Sequence, residues 1–205
     1  MLEYNETGKV MSGLPYQYIK ERCEKYSLIT PYYEKTIKSG KSYGFSESGY
    51  DIRIKQDITI YPVTLSNLFI NACAWLWSKI RIVAYTEPRP SFILASSIER
   101  FNMQDDIRAE VKDKSSWIRE GLSVHNTVIE PSWHGFLTLE LKNVGNSVIH
   151  IKAGDPIAQI LFTKLSKPTI KPYSGKYNNQ PDMPINSIKE QVTTEALILE
   201  LNKEY

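Results

Sequence analysis

The chain has 205 residues and a formal net charge of +2, with 41% hydrophobic and 23% charged residues. This composition is typical of a soluble globular protein, and the near-neutral balance gives no sign of general nucleic-acid binding. Two widely separated cysteines, Cys23 and Cys73, predict a reduced, cytoplasmic protein without a disulfide framework. The polar N-terminus lacks signal-peptide features, and the most apolar run, 63–77, is too short and too polar to span a membrane.

The first predicted element is an amphipathic helix. Apolar side chains recur at three- and four-residue spacing between positions 16 and 26, which predicts a helix over about 15–26. Pro31 limits its continuation, and 31–39 is expected to add a short helical turn. The apolar run 64–79 is compatible with a helix or with a buried hairpin, and its periodicity does not choose between them. Packing or subunit contact is the expected role of 64–89, with a partner surface as the alternative.

After residue 42 the sequence consists of short β-prone stretches separated by Gly, Pro, Asn and Asp, which build turns. These stretches are 50–54, 58–60, 80–85, 91–97, 107–111, 136–141, 148–151 and 157–163. Many short strands without alternating long helices predict a mainly β fold, either a sandwich or a barrel-like domain. An amphipathic C-terminus predicts a helical extension over 187–205 beside a β domain over 1–186, with packing or subunit contact as its favoured role.

Searches for common motifs exclude several functions. No histidine is followed by glutamate two positions later and no C-x-x-C is present, which excludes the zinc-dependent deaminases. Gly40-Lys41-Ser42 resembles the end of a phosphate-binding loop, but Lys35 stands where the first glycine is required. The nucleophile elbow G-x-S-x-G and the dinucleotide fingerprint G-x-G-x-x-G are both missing.

Three polar segments remain as candidates for chemistry: 114–119 (KSSWIR), 130–143 (EPSWHGFLTLELKN) and 173–180 (YSGKYNNQ). Each alone is best interpreted as solvated surface. In the second segment, however, leucines alternate with polar residues, so the leucines would face the core and Glu140 the opposite face. The first segment combines two cations with two hydroxyls, which are donors suited to phosphate or carbonyl oxygens.

Together with their flanking motifs, these segments resemble the dCTP deaminase family of the dUTPase-like superfamily. The matching stretches follow one another over about residues 14–185: SYGFS (42–46), GYDIR (49–53), PSFILA (90–95), KSSWIREG (114–121), EPSWHGFLTLELKN (130–143) and GDPIAQILF (154–162). The resemblance implies a dUTPase-like distorted β-barrel or sandwich with an N-terminal helix and a C-terminal helical extension. It also implies a homotrimer with sites between subunits.

The resemblance implies hydrolytic deamination of dCTP to dUTP and ammonia without a catalytic metal. Glu140 would act as general base and acid, while Ser115 and Arg119 would hold the attacking water and the pyrimidine. A carboxylate in both roles needs a raised pKa, which burial under a bound base would provide.

Further residues would bind the substrate, again by resemblance. Glu130 would accept a hydrogen bond from the deoxyribose 3′-hydroxyl, and magnesium would bind through triphosphate oxygens. No nucleic-acid or membrane partner is expected. The implied substrate-binding residues are Lys114, Ser116, Glu130, Thr138, Gln159, Tyr173, Lys176 and Gln180, of which the last three match a C-terminal lid over the triphosphate.

Departures from the family pattern leave alternatives open. Asp113 stands where the family usually has glycine, and an acidic residue there could repel phosphate. A dUTP diphosphatase or a bifunctional enzyme is the first alternative, although Glu130 and Trp133 replace the aspartate and tyrosine of dUTPases. A non-catalytic nucleotide-binding regulator is the second. His125 is interpreted as structural rather than catalytic, and the sequence does not decide between dCTP and dCMP.

Overall fold

A computed structural model of the chain describes residues 13–80, 89–125 and 127–188. Its helices are α1 (Tyr16–Tyr26), α2 (Leu65–Ile80) and α3 (Ser115–Ile118). Its strands are β1 (Ile29–Thr30), β2 (Thr36–Lys38), β3 (Lys41–Phe45), β4 (Tyr50–Arg53), β5 (Ile58–Ile60), β6 (Phe92–Asn102), β7 (Ile107–Asp113), β8 (Leu122–Val124), β9 (Val128–Ile129), β10 (His134–Asn143), β11 (Ile149–Ile151) and β12 (Pro156–Lys164). The predicted mainly β fold is confirmed. Most of the expected strand at 80–85 and most of the C-terminal helix lie outside the described residues.

Two antiparallel sheets form the body of the protein. One has the strand order β2-β3-β4-β12-β7-β9, the other has the order β1-β6-β10-β8, and β5 pairs separately with β11. Alternate side chains of the long strands fill the space between the sheets, including Phe101, Leu139, Ile160 and Phe162. This alternation of buried and exposed positions is the expected pattern of a sandwich or barrel-like domain.

The N-terminal region confirms one prediction and corrects another. The expected first helix is α1, which buries Ile19 and Cys23. The expected helical turn at 31–39 is wrong, because β2 pairs with β3 in a hairpin. Ser39 and Gly40 both have positive φ, as a two-residue hairpin turn of matching twist requires.

The ambiguous run 64–79 forms a helix, α2. Its polar inner residues bind the connecting segments: the Asn67 amide donates to the Pro62 carbonyl, and the Asn71 amide exchanges two hydrogen bonds with the Arg89 backbone. On the outer face, Phe69 is 70% exposed and Leu68 is 54% exposed. Within the described parts of the chain, none of the helices combines the length and apolar character needed to cross a bilayer. The packing or contact role expected for this region stays a prediction.

A buried ion pair joins the two sheets. Arg53, at the end of β4, contacts the Glu99 carboxylate of β6 at 2.8 Å, and its backbone N–H donates to the same carboxylate at 2.9 Å. The Glu99 side chain is fully buried and the Arg53 side chain is 13% exposed, with its guanidinium over the rings of both Tyr33 and Tyr43. Burial raises the pKa of Glu99, although the hydrogen bonds from Arg53 act in the opposite direction.

We expect Arg53→Met to lower the free energy of unfolding by about 3–5 kcal/mol near neutral pH, because it leaves a buried carboxylate without its cation. The loss should shrink as the pH falls toward 5. Arg53 lowers the pKa of Glu99 against the effect of burial, so its loss raises that pKa further, and the variant regains stability as the buried carboxylate is protonated. Urea denaturation at the two pH values measures both effects.

Lys35→Met provides the control for this variant. It removes the cation of a surface pair with Glu47, in which both side chains are mostly exposed. Such pairs contribute little to stability, so this variant should unfold like the wild type at both pH values. Equal destabilisation by the two substitutions would contradict the structural role of the buried pair.

Candidate active site

Strand β10 presents Glu140 on the face opposite the core. The leucines at 137, 139 and 141 are buried between the sheets, while Thr138 and Glu140 are half-buried on the other face. The alternation predicted from the sequence is therefore confirmed. A single strand thus supplies both the hydrophobic anchoring and the polar side chains of the site.

The edge of β10 that does not pair with β6 contacts two different segments along its length, and Glu140 lies between these two contacts. Strand β8 pairs only with residues 141–143, and the last bond on this side runs from the His125 N–H to the Glu140 carbonyl at 2.9 Å. Further back, Gln180 forms a parallel bridge with Gly135. The gap between β8 and the Gln180 segment leaves an opening at Glu140.

A cavity of about 500 Å³ fills this opening. It combines aromatic and aliphatic walls with a few polar groups, which is the usual make-up of a small-molecule site. The C-terminal segment after β12 forms one wall, and β6 and the stretch 127–133 form the others. The lining residues are Phe92, Leu94, Thr127, Val128, Ile129, Glu130, Trp133, Leu137, Thr138, Glu140, Tyr173, Tyr177, Gln180, Ile185 and Ser187.

Burial raises the pKa of the Glu140 carboxyl above its ordinary value, because the cavity walls remove water that would stabilise the charged form. The nearby His125 acts in the opposite direction but contributes less than burial. The carboxyl is therefore a better proton acceptor than an exposed glutamate, and it can hold a proton for later donation.

The segment 114–119 lies outside this cavity. Lys114, which begins it, contacts the Asp51 carboxylate at 2.6 Å and the Ser42 hydroxyl at 3.2 Å, so its charge is already paired. Ser115 and Arg119 are exposed at the protein surface. The Ser116 hydroxyl oxygen is buried and has no hydrogen-bond partner among the residues that the structure describes.

Three other polar residues are bonded elsewhere. The Asp113 carboxylate accepts the Val124 backbone N–H at 2.6 Å, so it helps to hold β8. The Gln159 amide on β12 donates to the Ser46 hydroxyl at 3.1 Å. The Lys176 ammonium donates to the Ile188 carbonyl at 2.6 Å. Neither Gln159 nor Lys176 lines the cavity.

Comparison with known proteins identifies the family. A model of the dCTP deaminase-like family matches residues 14–165. The chain belongs to the dCTP deaminase-like family. It is 31% identical over 179 residues to a dCTP deaminase of Acinetobacter baumannii, a match covering 80% of this chain and 93% of the relative. It is 32% identical over 170 residues to a dCTP deaminase of Acidobacterium capsulatum, covering 80% of this chain and 92% of the relative.

Among solved structures, 2′-deoxycytidine 5′-triphosphate deaminase from Agrobacterium tumefaciens aligns with a TM-score of 0.49 and 14% identity. That alignment covers 76% of this chain and 49% of the other. The family assignment rests on the sequence matches and not on this likeness.

The structure brings together five of the site residues implied by the resemblance to dCTP deaminases: Glu130, Thr138, Glu140, Tyr173 and Gln180 all line the cavity. It does not bring Lys114, Ser115, Ser116, Arg119, Gln159 or Lys176 to the same cavity within one chain.

The cavity also contains residues that the sequence analysis did not select, such as Phe92, Trp133 and Tyr177. All three lie inside segments already singled out: Phe92 in 90–95, Trp133 in 130–143 and Tyr177 in 173–180. That signal does not tell which side chains reach the cavity. Phe92 does so through the pairing of β6 with β10, where it faces Lys142.

We expect Glu140→Gln to raise the melting temperature near neutral pH. The raised pKa means that the folded protein favours the protonated carboxyl, which glutamine resembles, over the carboxylate. The gain should disappear as the pH falls below the ordinary carboxyl pKa. Thermal denaturation at several pH values measures it, with Glu130→Gln at an exposed position as a control that should not respond. A large loss of stability at neutral pH would contradict this.

Proposed function

We propose that the protein is a dCTP deaminase, which hydrolyses dCTP to dUTP and ammonia with Glu140 as general base and acid. The observation that carries this proposal is the half-buried Glu140 carboxyl of raised pKa in the cavity. Sequence matches to dCTP deaminases over most of the chain support the same activity. They do not favour dUTP diphosphatase activity, which is the main alternative.

In this reaction the Glu140 carboxylate takes a proton from a water molecule as its oxygen attacks C4 of the cytosine ring. Glu140 delivers this proton to the ring nitrogen N3, which gives a neutral tetrahedral adduct and restores the carboxylate. The carboxylate then takes the proton of the new C4 hydroxyl and passes it to the exocyclic amino group, the C4–N bond breaks, and ammonia leaves as the C4 carbonyl forms. Proton transfer by a positioned side chain contributes about 10²–10⁴-fold to such a reaction.

The remaining machinery would come from a neighbouring subunit of a homotrimer. Ser115 and Arg119 are exposed on the surface of their own chain, where they are free to reach the Glu140 cavity of another. In this arrangement Arg119 and the hydroxyl of Ser115 orient the water and the base. Lys114, Ser116 and Gln159 would come from the same neighbouring subunit and would contribute to the phosphate site.

Magnesium would arrive with the nucleotide, bound mainly through phosphate oxygens. Glu130 would accept the 3′-hydroxyl at the cavity rim, and Tyr173 and Lys176 would lie near the triphosphate. Two cysteines that form no disulfide with each other, Cys23 and Cys73, fit a reducing cytoplasm.

Purified protein given dCTP and magnesium should release ammonia, and Glu140→Gln should lower kcat by about 10²–10⁴-fold. The value of kcat/KM should fall as the pH drops through the raised pKa of Glu140, because protonation removes the base. A coupled ammonia assay, with pyrophosphate measured in parallel, checks these expectations. Pyrophosphate release from dUTP without ammonia release from dCTP would overturn the proposal in favour of a diphosphatase. Binding of dCTP without turnover would favour a regulator.

A second experiment tests whether sites form between subunits. Glu140→Gln and Arg119→Ala should each be inactive alone, since each variant lacks one half of every site. After unfolding and refolding together in equal amounts, about a quarter of the sites should contain both intact halves, as random mixing of symmetric subunits requires. Recovery of activity on mixing supports shared sites, whereas no recovery in mixed oligomers of confirmed composition contradicts them.

A further inference from the structure

Helix α2 presents an apolar face to the outside of the protein. The large side chains of this outer face are between 49% and 70% exposed, whereas the Asn67 and Asn71 amides bond to the protein's own backbone. A contiguous apolar patch of this kind marks an interaction site in a soluble protein. The outer face consists of five residues at helical spacing: Leu68, Phe69, Ala72, Trp75 and Leu76.

The charges in this part of the sequence have one sign. Between residues 58 and 86 the sequence contains Lys79 and Arg81 but neither aspartate nor glutamate. Pairing of α2 with a second copy of itself would bring like charges together, which disfavours that arrangement. The favoured occupant of the outer face is therefore an apolar surface that carries negative charge.

The sequence after the described residues has this character. Residues 189–205 contain four glutamates and two lysines, which gives a net charge of −2. Beyond Ile188, apolar residues recur at spacings of four, four and three, at Val192, Ala196 and Leu199, which predicts a helix with one apolar stripe. The stripe and the acidic charge are complementary to the apolar and basic region around α2.

The starting point of this segment is fixed on the body of the protein. The Ile188 N–H donates to the Tyr177 hydroxyl at 3.2 Å, and its carbonyl accepts a hydrogen bond from the Lys176 ammonium at 2.6 Å. Both backbone groups of Ile188 are thus held where 189–205 begins.

A short path leads from this point to α2. Ser187 lines the cavity together with Phe92, and Phe92 follows Arg89 by three residues. The Arg89 backbone is bonded to Asn71, in the middle of α2. Each extended residue adds about 3.3–3.6 Å, so the first residues after Ile188 can bridge this path. The rest is sufficient to lie along the 16 residues of α2, which are about 24 Å long.

We propose that residues 189–205 form an amphipathic helix that docks on the outer face of α2 in the same chain. Its apolar stripe covers the exposed side chains of α2, and its glutamates lie near Lys79 and Arg81. Because the segment is tethered, it competes with free partners at an effective concentration of about millimolar. The contact involves no nucleotide and is independent of the proposed deaminase activity.

Cys73 provides a native probe of this contact. It lies on α2 and is partly exposed, whereas the other cysteine of the sequence, Cys23, is buried. Alkylation of Cys73 by iodoacetamide should be about tenfold slower in the full chain than in a chain truncated after Ile188, as for a segment docked about 90% of the time. Mass spectrometry measures the rates. Cys23 should stay unmodified in both proteins, which shows that the truncated chain remains folded.

Phe69→Asp tests the same contact without shortening the chain. Since Phe69 is 70% exposed, its replacement leaves the core intact but opposes the apolar stripe with a charge. Alkylation of Cys73 should accelerate to the rate of the truncated chain, and the same substitution in the truncated chain should have little further effect. Ile170→Asp is the matched control, because Ile170 is fully exposed after β12 and its replacement should leave the rate unchanged.

Disulfide formation under mild oxidation reports which face of the segment docks and which chain it contacts. Ala196→Cys lies on the apolar stripe and should form a disulfide with Cys73 about tenfold faster than Thr194→Cys, on the opposite face of the predicted helix. The product should migrate as a single chain on a non-reducing gel. A covalent dimer would overturn docking within one chain in favour of a second copy.

Equal alkylation of Cys73 in the full and truncated chains, or no effect of Phe69→Asp in the full chain, would also overturn the proposal. Alkylation that slows only when vesicles of phosphatidylglycerol and phosphatidylcholine are added would instead assign the outer face of α2 to a lipid surface.

Discussion

The ion pair between Arg53 and Glu99 is the contact on which the arrangement of the two sheets depends. Strand β6 pairs with β10 in two runs whose registers differ, and Glu99 lies in the stretch between them. There the chain leaves the ladder and turns to β4, where Ile54 bridges Ser97. A fully buried carboxylate needs both a cation and backbone donors, and the end of β4 supplies the Arg53 guanidinium and the Arg53 backbone N–H. The pair thereby fixes how the sheets meet.

The same irregularity determines the environment of Glu140. The Ser97 hydroxyl accepts the Leu137 N–H at 2.9 Å, so this backbone group of β10 keeps a hydrogen bond where the regular ladder is interrupted. Beyond this point β10 pairs again with the first half of β6, which places Phe92 and Leu94 beside the cavity. Hydrophobic walls next to a carboxyl raise its pKa, and the buried leucines on the reverse face prevent the strand from rotating.

The two polar clusters of the protein differ in how far their charges are satisfied. Lys114, Asp51 and Ser42 form a hydrogen-bonded group on the larger sheet, with short contacts among all three, although Oδ1 of Asp51 is buried without a partner among the described residues. Glu140 instead keeps its carboxyl beside open cavity space. A charge already paired is suited to holding a backbone in place, while an incompletely solvated carboxyl is suited to exchanging protons. This contrast agrees with a chemical role for Glu140.

The sequence alone determined the fold class, most strands, the first helix and the face on which Glu140 lies, because alternation and spacing are local properties of the chain. It also singled out five residues of the cavity through their resemblance to a family. It did not determine the conformation of 64–79 or the hairpin at 36–45, where short apolar or polar runs permit several structures. Only the tertiary structure decided that Gln180 contacts Thr138 and that Lys114 is paired with Asp51. These contacts join residues far apart in the chain, and strand register and edge pairing, which no local pattern encodes, bring them together.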